Sequence, residues 1–252
     1  MIQVIKIGGG VLENEAQRDA FLRQFAAIEG PKILVHGGGR LATTMADRLG
    51  VETHMIDGRR VTDKETLDIV TMVYGGLVNK QVVAQLQTMG VNAIGMTGAD
   101  GGWMKAVKRP IKNGIDYGYV GDVVEVNGAH LRTLLNNGLT PVIAPITFSA
   151  DGLLLNTNAD TVASETAVSL APDVQLTFCF EKAGVLSNPD DESSLIACIT
   201  PETYTQLKAD GIISGGMIPK IDNAFAAIEH GVQSVRITHS NQIQGGTIIE
   251  QA

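Results

Sequence analysis

The chain is predicted to be an α/β protein with a mainly parallel central sheet covered by helices on both faces. Short runs dominated by apolar residues, such as residues 4–7 and 32–35, each with one lysine, suit strands that are buried on both sides. Each of these two runs leads into a glycine-rich turn and then a helical pattern, and such units in succession build parallel sheets. The same grammar continues along the 252 residues with no internal repeat or long linker.

Residues 4–7 form the first expected strand. Phe21, Leu22, Phe25 and Ile28 then fall on one helical face, and Gly30-Pro31 ends that helix. Residues 32–35 form a second strand, followed by His36-Gly37-Gly38-Gly39-Arg40 and a helix expected to carry Leu41, Met45 and Leu49. Thr62 and Glu65 have capping-box spacing and open a helix through Leu67, Ile69 and Val70. Residues 91–96 and 141–146 read as strands, and the glycines and alternating segments of residues 103–126 predict hairpins instead of a crossover helix. A helix after Asn158 stops near Ala171-Pro172, ahead of a strand over residues 174–180. Ile221, Ala224, Phe225 and Ile228 mark a final amphipathic helix, ended by Gly231. Two lobes sharing one sheet are expected, residues 1–172 and 173–252, with ligands along the carboxyl ends of the strands.

Composition narrows the function. Hydrophobic residues make up 44% and charged residues 18%, a globular balance. A net charge of −8 disfavours nucleic acid and anionic membranes as partners, so an anionic substrate must meet a local cluster of cations. No apolar run approaches the roughly 20 residues needed to span a bilayer, and no signal-peptide pattern precedes the first strand, so a cytoplasmic location is expected. Cys179 and Cys198 lack metal-ligand spacing and read as structural thiols.

Two lysines stand where glycine-rich segments meet regular structure: Lys6 in V-I-K-I-G-G-G and Lys220 in S-G-G-M-I-P-K. Glycine permits close backbone approach and an ammonium supplies a point charge, which together suit phosphate oxygens. Residues 6–10 and 36–40 each place exposed N–H groups and a helix N-terminus after a strand. Neither is a P-loop or a dinucleotide fingerprint, which disfavours a nicotinamide dehydrogenase. In L-N-T-N-A-D-T, Asn158 can cap a helix whose dipole Asp160 complements; alternatively, Asp160 can bond both lysine ammonium groups. Arg60 in G-R-R-V-T has a planar fork suited to a carboxylate, and Arg59 is an equal candidate on composition.

Taken in order, K-I-G-G-G, H-G-G-G, G-R-R-V-T, Y-V-G-D-V, N-T-N-A-D and G-G-M-I-P-K resemble the amino acid kinase family over nearly the whole chain. G-x-R-x-T with N-x-N-A-D points to its acylglutamate branch, which serves arginine biosynthesis. The resemblance implies a three-layer α/β/α sandwich, an amino-terminal lobe for the acylamino acid and a carboxy-terminal lobe for MgATP. It assigns phosphoryl stabilisation to Lys6 and Lys220, with Asp160 orienting them. It assigns acylglutamate binding to Gly37, Gly38, Gly39, Arg60 and Asn156, and phosphate contacts to Gly8 and Gly9. Ile212, Ile213 and Ser214 would lie beside the nucleotide, as would the stretch holding Glu181 and Gly184. That stretch, Phe180-Glu181-Lys182-Ala183-Gly184-Val185, departs from the Thr/Ser-Asp-Val-x-Gly-Val common in relatives. Arginine-inhibited relatives carry an additional amino-terminal helix, so arginine feedback through that element is not expected.

The implied reaction is attack of the γ-carboxylate of an N-acylated glutamate on the γ-phosphorus of ATP, giving an acyl phosphate. A carboxylate is ionised at neutral pH, so no general base is required. Magnesium would arrive on the nucleotide phosphates, without a dedicated set of protein ligands. N-acetylglutamate is expected over N-succinylglutamate because the latter needs a further cation, for which Arg59, Lys105, Lys108, Arg109 and Lys112 are available. The competing readings are a ligand sensor without catalysis, and an enzyme of the same fold acting on another acid. A homodimer is the expected assembly.

Overall fold

The computed structural model describes every residue except Asp57, Pro189, Gly215, Gly216 and Ala252, together with the side chain of Pro219. The glycine pair expected ahead of Lys220 therefore lies outside the described residues. Strand β1 (Ile2–Ile7) leads through Gly8 into helix α1 (Gly9–Glu13) and then α2 (Glu15–Ala27). Strand β2 (Lys32–His36) leads into α3 (Gly39–Leu49), and the short hairpin β3 (Met55–Ile56) and β4 (Arg59–Arg60) follows. Helix α4 (Lys64–Val70) runs through a wider-wound segment, Thr71–Val78, into α5 (Asn79–Thr88).

Beyond β5 (Ala93–Met96), strands β6 (Met104–Lys108) and β7 (Gly121–Val126) pair antiparallel, as the hairpin expectation required. Next come α6 (Gly128–Asn136), β8 (Thr140–Ile143), β9 (Ile146–Phe148), β10 (Leu154–Asn156) and α7 (Ala159–Ser169). The remainder comprises β11 (Val174–Phe180), β12 (Cys198–Ile199), α8 (Pro201–Ala209), α9 (Met217–Glu229), β13 (Ser234–His239) and β14 (Thr247–Ile249).

The described residues form one eight-stranded sheet in the order β12-β14-β13-β11-β1-β2-β8-β5. Its pairs are parallel apart from β13 with β14. A smaller sheet, β10-β9-β6-β7, stands beside it. Alternation along the strands divides the core. Ile2, Val4, Ile33, Val35, Leu176 and Phe178 pack with α7 and α9 residues such as Val162, Ala163, Ile221 and Ala224. Ile5, Ile7, Leu34 and Cys179 pack on the opposite face with Phe21, Phe25, Ala42 and Leu86. Side chains two apart in a strand share a face, so Lys6 projects on the side of Ile2 and Val4, toward α7.

Three local expectations are corrected. Helix α3 buries Ala42 and Ala46, whereas Leu49 is 56% exposed; small side chains on the inner face permit closer packing, with Leu41 and Met45 at its flank. Asp63, not Thr62, caps α4 and accepts from the Thr66 N–H at 2.8 Å. Thr62 is fully buried, and its hydroxyl donates to the Arg60 carbonyl at 3.1 Å. The run 141–146 divides between β8 and β9, which join different sheets. Helix α9 is the last helix among the described residues, as expected, and β13 and β14 follow it. No helix among the described residues is long and apolar enough to cross a membrane.

Candidate active site

Two glycine turns lie side by side at the carboxyl ends of β1 and β2. A Cβ on Gly9 would stand 3.1 Å from the Gly38 nitrogen, and one on Gly38 would stand 2.9 Å from Tyr74 Cδ1. A Cβ on Gly37 would lie 3.7 Å from the Gly9 nitrogen. The backbones therefore approach where side chains would hold them apart, leaving N–H groups of the two turns in one region. Gly8 precedes α1 in extended conformation, and Gly39 opens α3.

His36 supports the second turn from below. It is fully buried; its Nδ1 lies 2.8 Å from the Gly37 carbonyl and its Nε2 3.1 Å from Asn79 Nδ2. Asn79 Nδ2 also donates to the Val142 carbonyl at 2.9 Å, and its Oδ1 accepts from Lys80 Nζ at 3.2 Å. These contacts select a neutral imidazole that carries its proton on Nδ1 and donates it to Gly37. Burial, outweighing the bond to Gly37, pushes the His36 pKa down to about 4.

On the other face, Lys6 reaches α7. Its Nζ is 2.8 Å from Asp160 Oδ1, and only 8% of the lysine is exposed. Asn158 caps that helix, accepting from the N–H groups of Asp160 at 2.8 Å and Thr161 at 3.1 Å. Lys220 projects from α9, and its Nζ stands 4.0 Å from the centroid of the Phe180 ring; Lys6 Nζ stands 5.4 Å from the same centroid. Lys6, Asp160 and Lys220 are thus gathered around the end of β11. Only Lys6 pairs with Asp160; Lys220 has no carboxylate partner among the described residues. Asn158, Asp160, Phe180 and Lys220 border a cavity of about 390 Å³.

A neighbouring cavity of about 210 Å³ is lined by Gly37, Gly38, Gly39, Arg59, Arg60, Arg109 and Asn156. Arg60 is buried, and its Nη2 donates to the Gly39 carbonyl and the Thr43 hydroxyl, each at 2.8 Å. Its Nη1 donates to Thr53 Oγ1 at 3.2 Å. Much of its fork therefore holds the glycine turn and α3 in place. Arg59 is exposed and borders both cavities. Asn156 Nδ2 donates to Thr62 Oγ1 at 3.0 Å, tying β10 to the segment after β4. The sequence offers Arg109 as one of several cations without fixing its position. The structure brings it to this cavity and holds it bidentate on Asp122, with Nη2 at 2.5 Å from Oδ1 and Nε at 3.3 Å from Oδ2.

The residues expected on the nucleotide side take different surroundings. Glu181 is exposed, 3.9 Å from Arg40 Nη2. Gly184 presses against β14, where a Cβ would stand 2.7 Å from Thr247 Oγ1. Ile213 is core, Ile212 is half-buried, and Ser214 is exposed with its carbonyl accepting from the Met217 N–H at 3.2 Å at the start of α9. Cys179 is buried and unbridged, and burial pushes its thiol up to about 12, so it is not a nucleophile at neutral pH.

The chain belongs to the amino acid kinase family, whose model matches residues 1–239. Among its curated relatives, the acetylglutamate kinase of Phocaeicola vulgatus is 54% identical over 99% of this chain and 98% of its own length. That of Methanopyrus kandleri is 41% identical over 98% of this chain and 100% of its own. The solved structure of smu.665 from Streptococcus mutans superposes with a TM-score of 0.77 at 29% identity, covering 99% of this chain and 98% of that one. Carbamate kinase from Giardia lamblia bound to AMP-PNP, at 16% identity and a TM-score of 0.67, covers 100% of this chain and 98% of its own and shares the fold.

The buried neutral His36 predicts a specific acid weakness. Because its folded pKa lies below the ordinary 6.5, its unfolded state binds more protons, and stability present above pH 6.5 is lost as pH falls toward 4. The loss should approach ~3 kcal/mol at pH 4. Urea unfolding at pH 7.5 and pH 4.5 should show a smaller difference for His36→Gln than for the parent protein; equal differences would contradict the assignment.

Proposed function

We propose that this protein is an ATP-dependent acetylglutamate kinase of arginine biosynthesis. The observation that carries the reading is the convergence of Lys6, paired to Asp160, and Lys220 beside two cavities at the carboxyl ends of the strands. The near-full-length identity of 54% to a curated acetylglutamate kinase supports the same substrate. Residues 1–172 form the acceptor lobe and residues 173–252 the nucleotide lobe. N-acetylglutamate enters the cavity of Gly37, Gly38 and Gly39, with its α-carboxylate toward Arg60 and Asn156. Gly8 and Gly9 offer N–H groups to the phosphates, and Glu181, Gly184 and residues 212–214 border the nucleotide.

An oxygen of the γ-carboxylate forms a bond to the γ-phosphorus as the bond to the β,γ-bridging oxygen breaks, and that electron pair leaves on ADP. The reacting groups are both anionic, so holding them in line and offsetting their repulsion is most of the catalysis. Lys6 and Lys220 supply the positive charge, and Asp160 keeps Lys6 aimed. Mg2+ arriving on the nucleotide phosphates would supply further charge neutralisation. The protein acts in the cytoplasm. Among the described residues β5 stands at the edge of the main sheet with Ile94 exposed, and this supports a homodimer.

ADP release with MgATP should be fastest with N-acetylglutamate and slow with glutamate and aspartate. A preference of about tenfold or more for N-succinylglutamate, ~1.4 kcal/mol of discrimination, would move the acyl assignment and leave the chemistry in place. Binding of the acids without turnover would favour a sensor.

Lys220→Ala should lower kcat by roughly 100-fold or more, with thermal stability nearly unchanged because the side chain is exposed. Lys6→Ala should lose turnover similarly. Near-parental kcat in either purified variant would remove that lysine from the mechanism.

A further inference from the structure

Phe180 occupies a position that charge alone does not explain. It ends β11, where it is in register with His239 of β13, and its carbonyl accepts from the Ser240 N–H at 3.1 Å. Its ring stacks on buried Phe178, with centroids 6.0 Å apart and planes 19° apart. Strand pairing and stacking therefore fix the ring on a rigid element. Both lysine ammonium groups lie within the ~6 Å range over which an aromatic face attracts a cation.

We propose that Phe180 is a positioning residue for phosphoryl transfer, holding the Lys6 and Lys220 ammonium groups around one ring without neutralising either. The proposal rests on the kinase reading above and adds a residue to it. Two ammonium groups near one another repel, and each long side chain has rotamer freedom to move away. Asp160 restrains Lys6 at 2.8 Å but provides no such bond to Lys220. A second carboxylate could restrain Lys220, at the cost of cancelling its charge and repelling the incoming phosphates. An aromatic ring attracts the cation through its quadrupole and carries no net charge. The ring therefore holds Lys220 near the transferring group without a compensating negative charge. Because α9 carries Lys220 and β1 carries Lys6, the ring also couples two separate elements of the fold.

Ring electronics separate this role from simple space-filling. Replacing Phe180 with mono-, di- and trifluorophenylalanine weakens the ring quadrupole stepwise with little change in shape. We expect kcat to fall at each step, by roughly tenfold over the series, with KM for N-acetylglutamate within about twofold. Phe180→Leu should lose roughly as much, and Phe180→Tyr, which keeps an aromatic face, should retain most activity. A flat fluorination series, or parental kcat in Phe180→Leu, would overturn the proposal. A readout independent of turnover is the lysine ε-CH2 resonance that disappears in Lys220→Arg. It should be displaced upfield by the ring in the parent protein and return to the position of solvent-exposed lysines in Phe180→Leu. No upfield displacement in the parent protein would overturn the contact itself. A displaced resonance in a protein that phosphorylates none of the tested acids would instead overturn the kinase reading and, with it, the catalytic role of the ring.

Discussion

The Lys6–Asp160 ion pair, at 2.8 Å, is the contact on which the geometry of the site depends. Lys6 emerges from a strand in the middle of the sheet with 8% exposure, and a charge so placed requires a partner. The pair sets the first turn of α7 against β1. The same turn is capped by Asn158, and the chain just before it carries Asn156 into the neighbouring cavity. One contact thereby registers the glycine-lined cavity against the sheet. The paired oxygen of Asp160 is buried, while the rest of its side chain is partly exposed. The importance of the pair lies in where it places the ammonium.

A chain of net charge −8 can attract polyphosphate only by local means. Close approach of Gly9 to Gly38 brings backbone donors of two turns together without adding side-chain bulk. His36, kept neutral by burial, and Arg60, engaged with the Gly39 carbonyl, brace the second turn from within the fold. The positive charge at the centre is confined to a few side chains, each restrained differently: Lys6 by a carboxylate, Lys220 by an aromatic contact, Arg109 by a bidentate bond to Asp122. Fixed donors of this kind need little reorganisation when charge develops during transfer.

Much of this was legible in the sequence because strand runs and glycine turns are local signals. The first two strand–turn–helix units, the hairpin after Trp103 and the inner residues Ile221 and Ala224 of α9 all follow from short-range patterning. Structure and local pattern differ where tertiary packing decides between adjacent residues. Ala42 and Ala46 displaced larger neighbours from the inner face of α3, and buried Thr62 ceded the α4 cap to Asp63. The contacts of His36, Tyr74 and Arg109 are not legible in the sequence, because they come from Asn79, Gly38 and Asp122, which are not their neighbours in the chain. The sequence offers Arg60 or Arg59 as a planar fork for a carboxylate, and much of the Arg60 fork is engaged by Gly39, Thr43 and Thr53. Phe180 was visible as a departure from its relatives, but not as the neighbour of both lysines.

The central claim is that these restrained cations promote transfer of a phosphoryl group to a carboxylate. Trapping the product with hydroxylamine tests it most directly, since an acyl phosphate is converted to a hydroxamate and a phosphate monoester is not. With MgATP and N-acetylglutamate, the account predicts hydroxamate formed in equal amount to ADP. ADP released without hydroxamate would contradict it.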